Sequence, residues 1–235
     1  LEDCNAQMVF SAGRRVTDEL FATRKHTELV GTDSVRAPKV EATSFTVRKN
    51  RSQTPVIGIV PGKIITERRD LDLAIDNGEK QIDLTRDILK IAVIERHGKN
   101  GNIATGFVQG FGLKRGAIAS TVGHDSHNIC VVGASEADMA AAANRLSEIR
   151  GGFVVADNGR VVAEIALPVA GLMSDQPYEH VRETLIPLRK AAKALGGTLD
   201  EPFLQLAFLP LPVIPHLKIS DRGMIDVDAF EIIDP

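Results

Sequence analysis

Seven residues constrain this chain most. Ile88-Leu-Lys-Ile-Ala-Val-Ile94 is an almost unbroken apolar run. A run of this length, rich in Ile and Val, fits a strand buried on both faces at the centre of a sheet. The turn-like His97-Gly-Lys-Asn-Gly-Asn102 follows it, and Ile103 to Val108 reads as a returning strand. A sheet covered on both sides needs an ample supply of apolar residues. The chain has them: 235 residues, 43% hydrophobic and 25% charged. These are globular proportions, which exclude a disordered tail, a collagen-like rod and a disulfide knot.

Other segments build around that strand. Pro55 to Val60 and Ile64 to Thr66 are β-rich, with Pro61-Gly62 as a break. Ala42 to Val47 alternates weakly and predicts a strand, and Asn128 to Val132 predicts another. Asp70 to Asp87 reads as a solvated, partly helical face. Ser135-Glu-Ala-Asp138 opens a helix over 135–150, with Met139, Ala142, Ala143, Leu146 and Ile149 on one face and Gly151-Gly152 as its stop. Val181, Leu185, Leu188, Ala192 and Leu195 predict a second helix over 177–195, capped by Ser174 or Asp175 and ended by Gly196-Gly197. Pro187 predicts a kink or break within it. Asp157-Asn158-Gly159 between β-rich runs signals a hairpin. The tail carries Pro202, Pro210, Pro212 and Pro215 and reads as extended segments without helix. The opening Met8-Val9-Phe10, then Ala12-Gly13-Arg14-Arg15-Val16, reads as strand, turn and strand. Residues 17–39 are polar and aperiodic, as a connector between domains is.

The net charge of -3 and pI near 6.1 give no electrostatic footprint for nucleic acid or a membrane surface. With no Trp and one Tyr, stacking platforms for single strands are not expected either. No apolar run reaches the roughly 18 residues of a membrane span. Two cysteines, Cys4 and Cys130, form no disulfide framework and fit a reducing, cytoplasmic setting. Cys130 reads as a small core residue.

His124-Asp125-Ser126-His127-Asn128 is the densest chemical cluster. Imidazoles with a carboxylate between them suit a proton relay or a divalent metal, so His124, Asp125 and His127 are candidate ligands. The alternative is a polar turn whose side chains cap backbone groups. The stretch from Gly106 to Gly116 is glycine-rich, with Gly110, Gly112, Lys114 and Arg115 as candidates for a loop that reaches an anion or a purine. It fits neither common phosphate fingerprint, and the alternative is a bulged hairpin whose glycines permit close packing. Gly58-x-x-x-Gly62-Lys63 is one residue short of a phosphate loop. His97 reads as a surface turn histidine. The zinc deaminase signature and the H-E-x-x-H and G-x-S-x-G motifs are absent.

Gly110 to Ser120, His124 to Ile129, Ala170-Gly-Leu-Met-Ser-Asp175 and Leu211-Pro-Val-Ile-Pro215 together resemble the C-terminal region of bacterial adenine deaminases. The resemblance covers roughly residues 40–228. It implies an amidohydrolase whose (β/α)8 barrel precedes this region and carries a two-metal site of manganese or iron. Residues 1–16 then resemble the closing strands of the small β-sandwich that accompanies such barrels, and Leu1 continues a longer protein. Eight βα units take about 250 residues by themselves, so this chain holds no barrel of its own.

The fold expected for residues 40–235 is mixed α+β. It has a largely antiparallel sheet of five to seven strands with the two helices packed on it. The function implied by the resemblance is metal-assisted hydrolysis of adenine, with the fragment alone inactive and the complete protein a homo-oligomer. A regulatory purine-binding module and a purely structural, oligomer-forming region stay open as rivals. On the enzyme reading the His124–Asn128 cluster is expected to face the catalytic cleft, with the Gly110–Gly116 loop closing over it.

Overall fold

The computed structural model describes residues 5–22, 27–48 and 51–235. Cys4 and the parts of the opening and connector readings on residues 1–4 and 23–26 lie outside the described residues. The opening forms the expected small hairpin. Strands β1 (Phe10–Ser11) and β2 (Arg14–Arg15) pair antiparallel around Ala12 and Gly13, whose φ angles are 48° and 76°. Ala42–Phe45 is a 3-10 helix, where a strand was expected. Glu41 and Ser44 cap it reciprocally and Phe45 anchors it in the core, so local hydrogen bonding overrides the weak alternation.

Strands β3 (Gln53–Ile59) and β4 (Thr66–Asp72) form a hairpin. The short pair β5 (Ile75–Asp76) and β6 (Glu79–Lys80) follows. Then come β7 (Ile88–Ile94), β8 (Ile103–Gln109), β9 (Ala117–Ser120), β10 (Ile129–Gly133), helix α1 (Glu136–Glu148), β11 (Gly152–Asp157) and β12 (Arg160–Ala166). Eight of these strands make one sheet in the order β12-β11-β9-β10-β7-β8-β3-β4, antiparallel except between β3 and β8. The mixed, largely antiparallel class is as expected, but the strand count exceeds five to seven. β9, Ala117–Ser120, is a strand of the sheet that no segment reading marked, and the Asp70–Asp87 stretch, holding the end of β4 and the separate β5–β6 pair, is strand and turn where a partly helical face was expected. β4 is an edge strand whose charges pair across its own surface, Arg68 with Asp70 and Arg69 with Glu67. Such charged edges are ordinary in sheets and hide the strand period from a hydrophobicity reading.

The leading apolar run is fully buried as β7, between β10 and β8. Ala92 and Ile94 pack with Ala119, Val131, Met139, Ala142, Ala143 and Leu146 of the α1 face. Leu89, Ile91 and Val93 face the other layer, with Ile118, Cys130, Val132, Leu188 and Leu206. Lys90, the one charge in the run, is buried and pairs with Glu136 at the start of α1. Ser135 caps α1 as expected, its hydroxyl accepting from the Asp138 N–H at 3.3 Å.

The second layer holds α2 (Tyr178–Ala194), α3 (Pro202–Ala207) and a small sheet of β13 (Leu217–Ser220), β14 (Gly223–Asp226) and β15 (Glu231–Ile233). α2 runs through Pro187 without interruption. Pro187 frees the Glu183 carbonyl, which lies on an exposed stretch where water can satisfy it. Its N-cap is Pro177, with no side-chain cap, in place of Ser174 or Asp175. α3 corrects the reading of an all-extended tail. Pro202 sits in its first turn, where no N–H is needed, and Phe203 and Leu206 are buried. The Asn158-Gly159 hairpin joins β11 and β12 as expected, with φ angles of 53° and 71°.

Candidate functional site

β9 and β10 pair antiparallel, so the loop between them, residues 121–128, emerges at one end of the sheet. Ile129 pairs with Ile94 of β7 and Ser120 with Phe153 of β11. The same end therefore gathers the segment after β7 and the turn before β11.

Thr121 roots the loop. Its buried hydroxyl donates to the Gly171 carbonyl at 2.6 Å and accepts from the Gly152 N–H at 2.7 Å. The turn itself closes between Gly123 and His127. The His127 N–H donates to the Gly123 carbonyl at 2.6 Å, and the Gly123 N–H donates to His127 Nδ1 at 3.3 Å. That second bond holds Nδ1 as an acceptor, with φ of His127 at 51°. The His124 N–H donates to the Ala207 carbonyl at 2.8 Å. The His124 ring stacks on Phe208, centroids 4.9 Å apart, and lies 5.5 Å from the His127 ring. Asp125 and Ser126 are exposed, the two imidazoles are half-buried and Asn128 is buried.

The segment after β7 supplies the support. The Arg96 N–H donates to Asn128 Oδ1 at 3.3 Å, and Asn128 Nδ2 donates to Asp221 at 3.2 Å. Arg96 Nε donates to the His127 carbonyl and Nη2 to the Ala170 carbonyl, the latter at 3.0 Å. His97 Nε2 donates to the Ser126 carbonyl at 2.7 Å. His97 is thus a surface turn histidine that is also tied into the cluster. Glu95, 3% exposed, accepts from the N–H groups of His97, Lys99, Asn100 and Gly101 at 2.5 to 3.2 Å. Burial pushes its carboxyl up, but the four donors outweigh that and hold it below the usual glutamate range. Burial, then the neighbouring charges of His124 and Arg96, hold the His127 imidazole below its ordinary value. His127 is therefore disposed to stay neutral, with Nε2 carrying its proton as a hydrogen-bond donor.

The arrangement does not bring metal ligands together. Among the described residues no group of three or more His, Cys, Asp or Glu stands close enough to hold an ion. The candidate ligands His124, Asp125 and His127 do not converge: one ring is stacked, one nitrogen is taken by Gly123, and the carboxylate faces solvent. Nor is it a nucleophilic triad, since the Ser126 and Asp125 side chains are exposed. It is a hydrogen-bonded polar knuckle that carries two imidazoles.

The glycine-rich stretch does not join it. Gly110 to Gly116 leads into β9 and the cluster leaves it, so they stand apart by four strand residues, about 13 Å. Gly112 N–H donates to the Asp87 carboxylate at 2.8 Å, Lys114 donates to the Leu84 carbonyl at 3.1 Å, and Arg115 pairs with Asp157 at 3.0 Å. A Cβ at Gly116 would lie 2.5 Å from the Ala156 carbonyl, so the glycines serve close packing. It is not a bulged hairpin either, because β8 and β9 are not neighbours.

Arg96, Asp221, Ala207 and Phe208 escaped the sequence reading. Each reaches the cluster from a distant segment, so no local pattern carries it. Beyond Phe208 lies a largely apolar groove of about 400 Å³, lined by Ile64, Leu199, Leu204 and Gln205 among others. Among the described residues no helix is long and apolar enough to cross a membrane.

The sequence model of the adenine deaminase C-terminal domain matches residues 63–231. The chain is 70% identical over 233 residues to adenine deaminase 1 of Rhizobium johnstonii, covering 99% of this chain and 41% of that protein. It is 69% identical over the same length to adenine deaminase 1 of Rhizobium etli, again 99% and 41%. With adenine deaminase 1 of Agrobacterium fabrum the identity is 68%, covering 99% of this chain and 40% of that protein. The chain thus spans about two fifths of the length of these curated relatives.

Proposed function

The chain belongs to the adenine deaminase C-terminal domain family, and from that premise we propose that it is the C-terminal part of an enzyme hydrolysing adenine to hypoxanthine and ammonia. The observation that carries the reading is 70% identity across 99% of this chain to a protein named adenine deaminase. Water adds at C6 of the purine, the 6-amino group leaves as ammonia, and the ring keeps a carbonyl. A divalent metal, manganese or iron, is proposed for an amidohydrolase barrel beyond this chain, where it would supply an activated water. The residues present here do not fit that metal, so their part is different.

Residues 1–16 are read as closing strands of the barrel's companion sandwich, residues 17–39 as a connector, and 40–235 as the C-terminal domain. The exposed Met8, Val9 and Phe10, each over half exposed, support an opening that packs on something else. Purine salvage or adenine breakdown in the cytoplasm, by a homo-oligomer, completes the proposal.

Within it, the His124–Asn128 knuckle faces the catalytic cleft. Its support is the combination of exposed Asp125 and Ser126 with two half-buried imidazoles on a pinned backbone. A neutral His127 donating through Nε2 can orient water there, and the exposed Asp125 carboxylate can accept a proton from it. The Gly110–Gly116 stretch has no gating role in this reading, because its side chains are already engaged.

Two measurements test it. The full-length enzyme should release ammonia from adenine, and the 235-residue chain alone should not; turnover by this chain alone would overturn the division of labour. Asp125→Asn and His127→Ala in the full-length enzyme should lower kcat tenfold or more with metal content and Tm unchanged. Unchanged kcat and KM in both would leave a merely structural polar turn.

A further inference from the structure

Arg96 is 1% exposed, yet among the described residues no carboxylate pairs with it. Guanidinium groups are rarely buried without a counter-charge, because desolvation costs the cation its water and returns nothing. Here burial alone holds the group below its ordinary pKa. Its contacts are with backbone. Nε donates to the carbonyl of His127, Nη2 to that of Ala170, and Nη1 has no partner. Its own main chain ties one further segment, the Arg96 carbonyl accepting from Arg36 N–H at 2.7 Å, and holds the same loop a second time, its N–H donating to Asn128.

Gly171 shows how closely the guanidinium is held. A Cβ at that position would lie 2.7 Å from Nη1 and 2.9 Å from Cζ, and φ is 70°. The Gly171 carbonyl in turn accepts from Thr121 at the root of the 121–128 loop. The planar fork therefore spans two loops that no strand pairing joins, one ending at His127 and one at Ala170. A lysine presents a point charge and cannot reproduce a fixed fork. An apolar side chain of equal volume would fill the space without setting the carbonyls.

We propose that Arg96 is a positioning residue for the deaminase reaction, fixing the His124–Asn128 loop against the Ala170–Gly171 turn from inside the domain. The proposal rests on the reading that this loop faces the catalytic cleft. Arg96 itself touches neither substrate nor metal. It sets where His127 stands.

The test uses the full-length enzyme with Arg96→Lys, Arg96→Met and Gly171→Ala, beside Asp125→Asn. Steady-state kinetics, Tm and hydrogen exchange of peptides covering 121–128 and 168–173 are measured together. The expected result is a fall in kcat of tenfold or more in both Arg96 variants, with KM for adenine within about threefold. Amide exchange should quicken in both peptides and stay at wild-type rates in β7 and β8. Gly171→Ala, which leaves the arginine in place but displaces its fork, should shift kcat the same way, and serves if the Arg96 variants fold poorly. Variants that lose Tm but keep kcat overturn the proposal. Loss of kcat in Asp125→Asn alone overturns it while sparing the cleft reading. Loss in the Arg96 variants with Asp125→Asn unaffected overturns both, since Arg96 would then be acting elsewhere.

Discussion

Replacing Glu95 with glutamine changes one atom and tests how the support of the candidate site is built. The carboxylate accepts four backbone N–H groups: His97 on one oxygen, and Lys99, Asn100 and Gly101 on the other. A glutamine oxygen placed toward the latter three leaves its amide facing the His97 N–H, donor against donor. The opposite orientation leaves three donors unmet, so the first is preferred. One charge-assisted bond is lost and three are weakened. With such bonds contributing about 1.5–3 kcal/mol and neutral ones about 1 kcal/mol, the non-additive loss comes to roughly 3 kcal/mol. Glu95→Ala abandons all four donors and should cost about 4 kcal/mol or more.

The charge state adds a pH signature. Because the folded carboxyl sits below the usual range, its contribution is complete above the unfolded value of about 4.3. It is lost as pH falls through the folded value. The gap between wild type and Glu95→Gln should therefore narrow on acidification toward pH 3. Thermal melts across that range, with hydrogen exchange of residues 97–101, measure it. A Glu95→Gln protein within about 1 kcal/mol of wild type at pH 7, or a gap that widens in acid, would refute the reasoning.

Three more outcomes follow from the geometry. Gly152→Ala places a Cβ 1.8 Å from the Ile165 carbonyl at φ 137°, so it should destabilise by roughly 3 kcal/mol or more, read as insolubility or a large fall in Tm. Ser135→Ala removes the hydroxyl that accepts from Asp138 N–H and should cost about 1 kcal/mol by denaturant titration, without affecting turnover. Phe208→Leu keeps apolar volume but removes the ring beneath His124. It should cost about 1 kcal/mol and lower kcat severalfold in the full-length enzyme, whereas unchanged kinetics would detach His124 from the cleft.

What the sequence makes legible here is what short-range physics encodes. The Ile88–Ile94 run, the capped start of α1, the apolar face of α2 and the Asn158-Gly159 turn each carry their own signal within a few residues. α3 did not, since four prolines mask a short helix that begins on one of them. The Ala42–Phe45 turn was lost because two side chains cap it against a weak alternation, and β4 because an edge strand is free to be charged. The site divides the same way. The cluster from His124 to Asn128 is dense enough to see in one dimension. Its setting is not, since Arg96, Ala170, Ala207, Phe208 and Asp221 come from four separate segments joined only by the sheet. Gly110–Gly116 is near the cluster in sequence but stands at the opposite end of β9, a separation that only the fold reveals.

The single parallel joint of the sheet sets how it comes apart. β3 meets β8 through three registered pairs, Val56 with Phe107, Ile57 with Val108 and Gly58 with Gln109, whereas β7 and β8 share seven. The β3–β4 hairpin is thus a leaf on a narrow hinge, and its outer end is stitched by the C-terminal segment. Thr66 N–H donates to the Pro215 carbonyl, His216 N–H returns to Thr66, and the Thr66 hydroxyl reaches Leu217. Trimming or proteolysis there would let the leaf swing away and bare the edge of β8, a ready template for pairing between molecules. Resistance to aggregation at this edge is therefore held by a residue 151 positions further along the chain.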